Sequence, residues 1–177
     1  FDSASDDFIS QGGQWSFDAS GLCQTDSGAE EARNRLQTSL MTLTDAVAET
    51  RFNAVRTDAS GGVNPTLGLL MRVRSIGEDN FDAYVCVLNL RWWRLQLLLV
   101  NDGEYTLLAQ SEDESILPDP DDEYHLRMSV VGSAVSCSLL PDGPVLSHED
   151  ETFSTGTVGF FTHRVSTCFD YLLVYAP

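Results

Sequence analysis

Hydrophobic and polar residues alternate along most of the chain, in short runs that end at glycine, proline, asparagine or aspartate. This period of two is typical of β-strands that turn one face toward a core. The runs are QWSF, GLCQTD, LQTSLM, VAETRFNAVRT, LGLLMRVRS, FDAYVCVLNL, WRLQLLLV, EYTLLAQ, YHLRMSVV, AVSCSLL, TVGFFTH and CFDYLLVYA. NDG at 101–103 and PDG at 141–143 are hairpin-type turns. The pattern predicts an all-β fold of antiparallel strands, arranged as a sandwich or barrel.

One short segment departs from this pattern. SGAEEARNRL is predicted to be a brief helix, with Ser27 as its N-cap and Glu30 in the capping-box position. The acidic stretch SEDESILPDPDDEY reads as an exposed loop, because proline and aspartate are frequent in it. Neither segment divides the chain, and the 177 residues show no internal repeat. A single domain over 1–177 is therefore expected.

The alternation also assigns faces to side chains. In LGLLMRVRS, residues Leu67, Leu69, Met71 and Val73 are expected on one face, and Arg72 and Arg74 on the other. The same division places Leu95, Leu97 and Leu99 opposite Trp92, Arg94 and Gln96. It also places Leu126, Met128 and Val130 opposite His125, Arg127 and Ser129. We therefore expect one sheet to display on its outer face Arg72, Arg74, Trp92, Arg94, His125 and Arg127.

Two interpretations of this outer face remain open. Arginine and tryptophan supply planar hydrogen-bond donors and a stacking surface, so the face is a candidate binding site for a sugar or an acidic polymer. Alternatively, the arginines pair with acidic residues on neighbouring strands and merely cover a solvated sheet.

Charge narrows the classes of partner. The chain has 27 acidic residues against 10 basic ones, all arginine, and a formal charge of −17. This charge disfavours nucleic acids and anionic lipid surfaces. No run of 18 apolar residues exists, so membrane insertion is not expected. The chain begins at Phe1, which we interpret as the start of a mature or excised segment.

Four cysteines occur at positions without the close spacing of zinc sites. The even number favours two disulfides and a secreted or cell-surface protein, whereas the alternative is four buried free thiols in a cytosolic protein. Cys86 and Cys137 both fall on apolar, inward faces of their strands. A bridge between them would close a loop of roughly 50 residues and contribute about 3–4 kcal/mol in the chain-entropy model.

Three segments resemble the concanavalin A-like, laminin-G-like jelly roll. They are DDFISQGGQWSF, LGLLMRVRSIGEDNFDAYVCVL and GTVGFFTHRVSTCFDYLLVY, and their order spans nearly the whole chain. The matching residues are Trp15, Gly68 to Arg72, Asn80, Phe81, Tyr84, Gly156, Val158, Gly159, Phe169 and Asp170. The resemblance implies a two-sheet sandwich in which N- and C-terminal strands are neighbours. Such neighbours would also allow the second disulfide, Cys23 with Cys168.

The resemblance further implies a structural calcium near the junction of the chain ends. The candidate ligands are Asp170 and either Asp6 or Asp7, because calcium prefers clustered oxygen ligands. The alternative is an aspartate that caps a turn or meets an arginine.

Catalysis is the less favoured function. Sugar hydrolases of this fold use two carboxylates on one strand, and the chain also resembles bacterial hydrolase relatives of the laminin-G group. In SEDESI and SHEDETF, however, acidic residues are consecutive and point to both faces. No G-x-S-x-G accompanies the three histidines, and His163 is interpreted as a partly buried, hydrogen-bonded residue.

The sequence therefore favours a non-catalytic extracellular recognition module that binds carbohydrate, with a glycoside-processing enzyme as an alternative. A second alternative is an adhesion domain that contacts other proteins through Trp92, Trp93 and the leucine-rich strand.

Overall fold

Two antiparallel sheets form a β-sandwich in the computed structural model, which describes residues 7–19, 21–36, 41–57, 64–77, 80–112, 116 and 123–177. Sheet A has seven strands in the spatial order β1 (Phe8–Gln11), β4 (Ala32–Leu36), β13 (Thr157–His163), β6 (Thr66–Ser75), β7 (Asp82–Asn89), β8 (Arg94–Asn101) and β9 (Glu104–Gln110). The predicted all-β, two-sheet architecture is confirmed.

Sheet B has eight strands. Seven follow the order β12 (Val145–Glu149), β11 (Ala134–Leu140), β10 (Glu123–Val131), β5 (Ala46–Thr57), β14 (Val165–Phe169), β3 (Gly21–Gln24) and β2 (Trp15–Asp18). The eighth, β15 (Leu173–Tyr175), pairs with β5 beyond the end of β14. Within the described residues there is no helix long and apolar enough to cross a membrane.

The main core lies between the two sheets. The side chains that alternation predicts to be inward on β8 and β10 belong to it, including Leu95, Leu97, Leu126 and Met128, each with no exposed surface. The Cys86–Cys137 disulfide crosses this core and joins β7 to β11. Both half-cystines are fully buried, as their positions on apolar faces predicted.

A second apolar cluster covers the outer face of sheet A. Its centre is Phe161 on β13, stacked at 6.3 Å on Phe81, which precedes β7. The other buried members are Leu70, Val73, Ile76, Ala83, Val85, Val87 and Val100. Sheet A is therefore covered by apolar packing on both faces, and its outer face is not the solvated surface that strand alternation suggests.

The outer face of sheet A is concave. Tyr105 lies on the edge strand β9, and its hydroxyl donates a hydrogen bond to a carboxylate oxygen of Glu31 at 3.0 Å. Glu31 directly precedes β4, five strands away from β9 in the sheet. Strands are spaced by about 4.8 Å, so in a flat sheet β4 and β9 would be about 24 Å apart. Strong curvature brings these residues together.

A β-bulge in β6 reverses the expected face of Val73. The pairing of β6 shifts register after Met71 against β7 and at Thr157/Val158 against β13. At the bulge Arg72 adopts φ 49°. A Cβ on Gly156 would lie only 2.3 Å from the carbonyl carbon of Arg72. The extra residue sends Val73 to the outer cluster, while Leu67, Leu69 and Met71 stay in the main core.

The neighbouring near-terminal strands are β3 and β14. Cys168 pairs directly with Cys23 across these strands, and the two form a disulfide. Their adjacency agrees with the expectation from the resemblance, although it occurs inside the chain ends. The outermost strands differ from that expectation: β1 belongs to sheet A, and β15 pairs with β5 rather than with the first strand.

The predicted helix at SGAEEARNRL is wrong. Residues after Ser27 form a turn, and Ala32–Leu36 form strand β4 between β1 and β13. An isolated helix of this length is marginal in water, whereas two flanking strands supply hydrogen bonds on both sides. Pairing within sheet A therefore overrides local helix propensity.

Candidate functional site

A cleft opens at one end of the outer face of sheet A. One wall is the turn between β1 and β2, where Gly12 and Gly13 have φ values of 69° and 63°. A Cβ on Gly12 would lie 2.2 Å from the carbonyl oxygen of Glu31. Only glycine allows this turn to approach so closely, and the Trp15 indole N–H fixes it by donating to the carbonyl oxygen of Gly12 at 3.1 Å.

The cleft has a volume of about 430 Å³. This lies within the range of small-ligand sites, about 300–1,000 Å³. Four elements contribute to it: the β1–β2 turn, the turn after β3, strand β4 and the end of β13. Its lining residues are Gln11, Gly12, Gly13, Asp26, Ala29, Glu30, Glu31, Arg33 and His163.

Glu31 and Arg33 form the fixed floor of the cleft. Their side chains make an ion pair, and Tyr105 donates a further hydrogen bond to Glu31. The Arg33 guanidinium also donates to the carbonyl oxygens of Ile76 and Gly77 and lies 4.3 Å from the ring centroid of Phe81. These contacts lock Glu31 in one orientation, with its side chain still one-third exposed.

His163 and Glu30 form the opposite side. Glu30 pairs with the Arg164 guanidinium at 2.7 Å, and the backbone N–H of Arg164 donates to the carbonyl oxygen of Ala29 at 2.9 Å. Burial, followed by the charge of Arg164, lowers the pKa of His163, although Glu30 opposes both effects. The imidazole is therefore neutral at pH 7 and has one donor and one acceptor nitrogen.

Asp26 is held by the turn that follows β3. Its carboxylate accepts the backbone N–H of Gly28 at 3.0 Å, and its carbonyl oxygen accepts the Gln24 amide at 2.9 Å. Gln24 also donates to Thr162 on β13 and so ties sheet B to sheet A beside the cleft. The cleft thus presents preorganised acceptor oxygens and a few donors, an arrangement suited to a ligand with several hydroxyl groups.

Sheet B carries a second polar cluster on its outer face, centred on Glu49. The carboxylate of Glu49 accepts from Arg127 at 2.7 Å, pairs with His125 at 3.0 Å and also accepts the Tyr175 hydroxyl. Burial of Glu49 favours its protonated form. The hydrogen bonds from Tyr175, Arg127 and His125 outweigh that effect and lower its pKa. This agrees with the alternative interpretation, in which outer-face cations pair with acids on neighbouring strands.

The six outer-face residues predicted from alternation do not lie on one sheet. Arg72, Arg74 and Arg94 belong to sheet A, with Trp92 in the turn before β8, whereas His125 and Arg127 belong to sheet B. The expectation of a single face is wrong because alternation assigns a face within each strand but does not specify the sheet to which the strand belongs.

Arg72 is not an exposed residue at all. Only 3% of its surface is accessible, and its guanidinium donates to the carbonyl oxygens of Thr44, Gly132 and Phe153 at 2.6–3.0 Å. It also pairs with Asp45 at 3.4 Å. Arg72 therefore ties together three loops at the end of the sandwich opposite the cleft. Arg74 is exposed and lies 5.7 Å from the ring centroid of Phe153.

The apolar patch expected for an adhesion domain is not continuous. Trp92 is 39% exposed, but Trp93 packs on Tyr124 at 6.3 Å, and Leu95 and Leu97 are fully buried in the main core. The leucine-rich strand therefore faces sheet B rather than solvent. Trp92 contacts its neighbour Arg91, whose guanidinium lies 5.0 Å from the centroid of the Trp92 ring.

The residues proposed for calcium do not make a suitable donor set in the part of the chain described. Asp6 lies outside the described residues. Asp170 is 3.6 Å from the Arg51 guanidinium, and burial together with Glu123 raises its pKa. No group of three acidic, histidine or cysteine side chains that would hold a metal occurs among the described residues, Asp7 included. An arginine beside Asp170 matches the alternative stated for it.

The acidic run SHEDETF contains a carboxylate with a structural role. Asp150 accepts the hydroxyl of Tyr84 at 2.5 Å and the backbone N–H of Thr152 at 2.8 Å. Burial raises the pKa of Asp150, but these hydrogen bonds lower it more. Burial and the bond to Asp150 raise the pKa of Tyr84 to about 12. Residues 113–115 of the run SEDESI lie outside the described residues.

Sequence reasoning missed most of the cleft. Of its polar lining residues, the sequence singled out His163, as a partly buried residue, and Glu30, as the capping-box residue of a helix that does not form. The one local signal is the Gly12–Gly13 pair directly after a strand, since adjacent glycines mark a turn or a close backbone approach.

No protein-family model matches the chain, and a search of curated proteins finds no match. Solved structures do match. The carbohydrate-binding module CBM66 from Bacillus subtilis superposes with a TM-score of 0.78, covers 96% of both chains and is 15% identical. This chain has the fold of lectin-like β-sandwiches.

Two lectin-like structures agree with this assignment. The VIP36 exoplasmic/lumenal domain, in its form bound to Ca²⁺ and Man3GlcNAc, has a TM-score of 0.67 and 13% identity, with 97% of this chain and 84% of that chain covered. The legume lectin-like domain from Entamoeba histolytica has a TM-score of 0.67 and 9% identity, with 97% and 91% covered. At these identities the likeness concerns the fold alone.

Proposed function

We propose that this chain is a non-catalytic carbohydrate-recognition module that binds sugar in the cleft of sheet A. The observation that carries the proposal is the cleft itself, in which the carboxylates of Asp26, Glu30 and Glu31 are held in place by other protein groups. Sugars present several hydroxyl groups in a rigid arrangement. Preorganised acceptors bind such ligands at a lower entropic cost than mobile ones.

The similar structures support the same kind of ligand. The Bacillus subtilis chain is a carbohydrate-binding module, and the VIP36 domain was solved with a mannose-containing glycan. The two disulfides, Cys23–Cys168 and Cys86–Cys137, favour an oxidising compartment. We therefore place the module outside the cell or on its surface.

A longer sugar chain would extend from the cleft across sheet A. His163, Thr66, Asn89 and Arg94 occupy one row of directly paired residues on the outer face. Arg94 is three strands from His163, about 14 Å at ordinary strand spacing. Of the contact residues predicted from sequence, Arg94 and the exposed Trp92 are thus the two that such a ligand would meet. Arg74, His125 and Arg127 lie away from this row.

Affinity electrophoresis in gels that contain soluble polysaccharides tests the proposal. The panel consists of pullulan, levan, mannan and hydroxyethylcellulose, and retardation by at least one is expected. His163→Ala and the exposed Gln11→Ala should each weaken that retention about fivefold to tenfold, because each removes one hydrogen bond to the ligand. His148→Ala, on β12 of sheet B, is the matched control and should bind like the wild type.

The alternatives give different outcomes in the same samples. Release of reducing sugar from a retained polysaccharide would show that the chain is a glycoside-processing enzyme rather than a non-catalytic binding module. No retention, together with a mass in light scattering that rises with protein concentration, would favour the adhesion domain. Retention of both cleft variants as strong as that of the wild type would show that the sugar site lies elsewhere on the molecule.

A further inference from the structure

The glutamate side chains of the cleft are much more exposed than its arginine side chain. Among its lining residues the Glu30 side chain is 79% exposed and the Glu31 side chain 33%, whereas the Arg33 side chain is only 6% exposed. The carboxylates therefore meet a ligand first, and the guanidinium lies beneath them. A lining of three carboxylates, one guanidinium and a neutral imidazole has a formal charge of −2 at pH 7.

We infer that the cleft selects uncharged sugars and rejects uronates, sulfated sugars and other anionic glycans, with Glu30 and Glu31 as the residues that discriminate. This inference rests on the proposed carbohydrate function. It names the ligand class as neutral, hydroxyl-rich glycans, whose hydroxyl groups donate to the carboxylate oxygens.

Arg33 does not provide a binding site for an anion. Its guanidinium contacts the carbonyl oxygens of Ile76 and Gly77, the carboxylate of Glu31 and the face of Phe81. An acidic sugar would have to break several of these contacts to form the planar, two-point pairing that arginine makes with carboxylates. The one guanidinium that lines the cleft thus holds Glu31 in place.

Arg164 is similarly engaged at the edge. Its Nη2 donates to Glu30 at 2.7 Å, and its backbone is fixed by the bond to Ala29. The Arg164 side chain is 30% exposed, far less than its partner Glu30. In this pair Glu30 is therefore the more exposed partner, and the guanidinium already holds a carboxylate.

The charge of the whole chain reinforces local repulsion. A formal charge of −17 slows the approach of any polyanion and favours neutral ligands at low salt. This long-range effect is screened beyond about 8 Å at physiological ionic strength. Repulsion by Glu30 and Glu31 acts at contact distance and persists there. The two contributions can therefore be separated by a variant in the cleft and a variant elsewhere.

Matched neutral and anionic polysaccharides test the inference. The probes are pullulan with carboxymethyl-pullulan, levan with carboxymethyl-levan, and hydroxyethylcellulose with carboxymethylcellulose, compared by affinity electrophoresis at physiological salt. The neutral member of a retained pair should bind at least about tenfold more tightly, because each bound carboxymethyl group faces two fixed carboxylates. Equal or stronger retention by anionic members would overturn the inference and leave sugar binding intact.

Glu30→Gln identifies the source of the discrimination. This variant keeps the size of an exposed side chain and should reduce the neutral-to-anionic affinity ratio about threefold. Glu151→Gln is the matched control: it makes the same change in net charge at an exposed position in the loop that leads to the opposite end of β13. An equal effect of both variants would assign the selectivity to net charge and overturn the role of the cleft. If neither member of any pair is retained, and mannan is not retained either, sugar binding itself is refuted.

Discussion

Arg72 shows that strand alternation alone does not predict whether a side chain is exposed. Period two assigns it to the outer face, but the β-bulge falls at this residue and the surrounding loops enclose its guanidinium. Three carbonyl oxygens from separate parts of the chain accept its hydrogen bonds. Buried arginine is retained where several acceptors converge, since an unsatisfied buried polar group costs about 1–3 kcal/mol. Its role here is structural.

Arg72→Ala should lower the free energy of unfolding by about 2–4 kcal/mol, because it leaves the carbonyl oxygens of Thr44, Gly132 and Phe153 without this donor. Equilibrium unfolding in urea measures the change. Arg74→Ala, two residues away and exposed, is the control and should stay within about 0.5 kcal/mol of the wild type. Equal stability of the two variants would mean that the contacts of Arg72 contribute little.

Strands β3 and β14 illustrate the element scale. Each is short, with four and five residues, and they pair over only three residues. Short strands are weakly held by backbone hydrogen bonds alone. The Cys23–Cys168 disulfide joins them directly and links positions 145 residues apart. It holds the beginning and the end of the chain in one sheet, beside the turn that carries Asp26.

Removing this bridge with the double substitution Cys23→Ala and Cys168→Ala should cost about 5 kcal/mol, the chain-entropy value for a loop of this length. The double substitution Cys86→Ala and Cys137→Ala provides the comparison. It removes a disulfide whose half-cystines are 51 residues apart, so the expected loss of stability is about 4 kcal/mol plus the effect of a cavity in the core. Thermal unfolding under oxidising conditions measures both. A loss below about 1 kcal/mol for the first pair would show that β3 remains paired without the disulfide.

At the scale of the whole molecule, charge and curvature work together. Curvature of sheet A brings Tyr105 on one edge to Glu31 on the other side, and the second apolar cluster covers part of the resulting concave face, with the cleft at one end. The large excess of carboxylates remains on the surface. Such an excess keeps the protein soluble but destabilises the compact state through repulsion.

Added salt should therefore stabilise the protein. The melting temperature is expected to rise by about 2–5 °C between low-salt buffer and about 0.5 M sodium chloride, because screening weakens repulsion among a net 17 negative charges. Differential scanning fluorimetry measures it. A fall in melting temperature would mean that the ion pairs of Glu30, Glu49 and Arg51 outweigh the repulsion.

Calcium chloride at matched ionic strength, with a chelator in the parallel sample, is the control. Screening alone predicts the same rise for both salts. An additional rise with calcium would reveal a cation site of the kind that the resemblance implies, and it would contradict the unsuitable donor set around Asp170.

The fold could be predicted from sequence because its signals are local. Alternation in β8 and β10, the inward positions of Cys86 and Cys137, and the turn residues between strands each depend on a few neighbouring residues. The helix assigned to SGAEEARNRL failed for the complementary reason. There the local preference was weak, and strands β1 and β13, distant in sequence, determined the conformation.

What the sequence by itself determined is the all-β class, the buried face of most strands and the excess of negative charge. Only the tertiary structure decided which sheet each strand joins, where the bulge at Arg72 falls, and that Gly12, Asp26, Glu31 and His163 enclose one cleft. The physical reason is range. Side-chain alternation follows from backbone geometry within a strand, whereas a site is made by residues that only long-range pairing and sheet curvature bring within reach of one ligand.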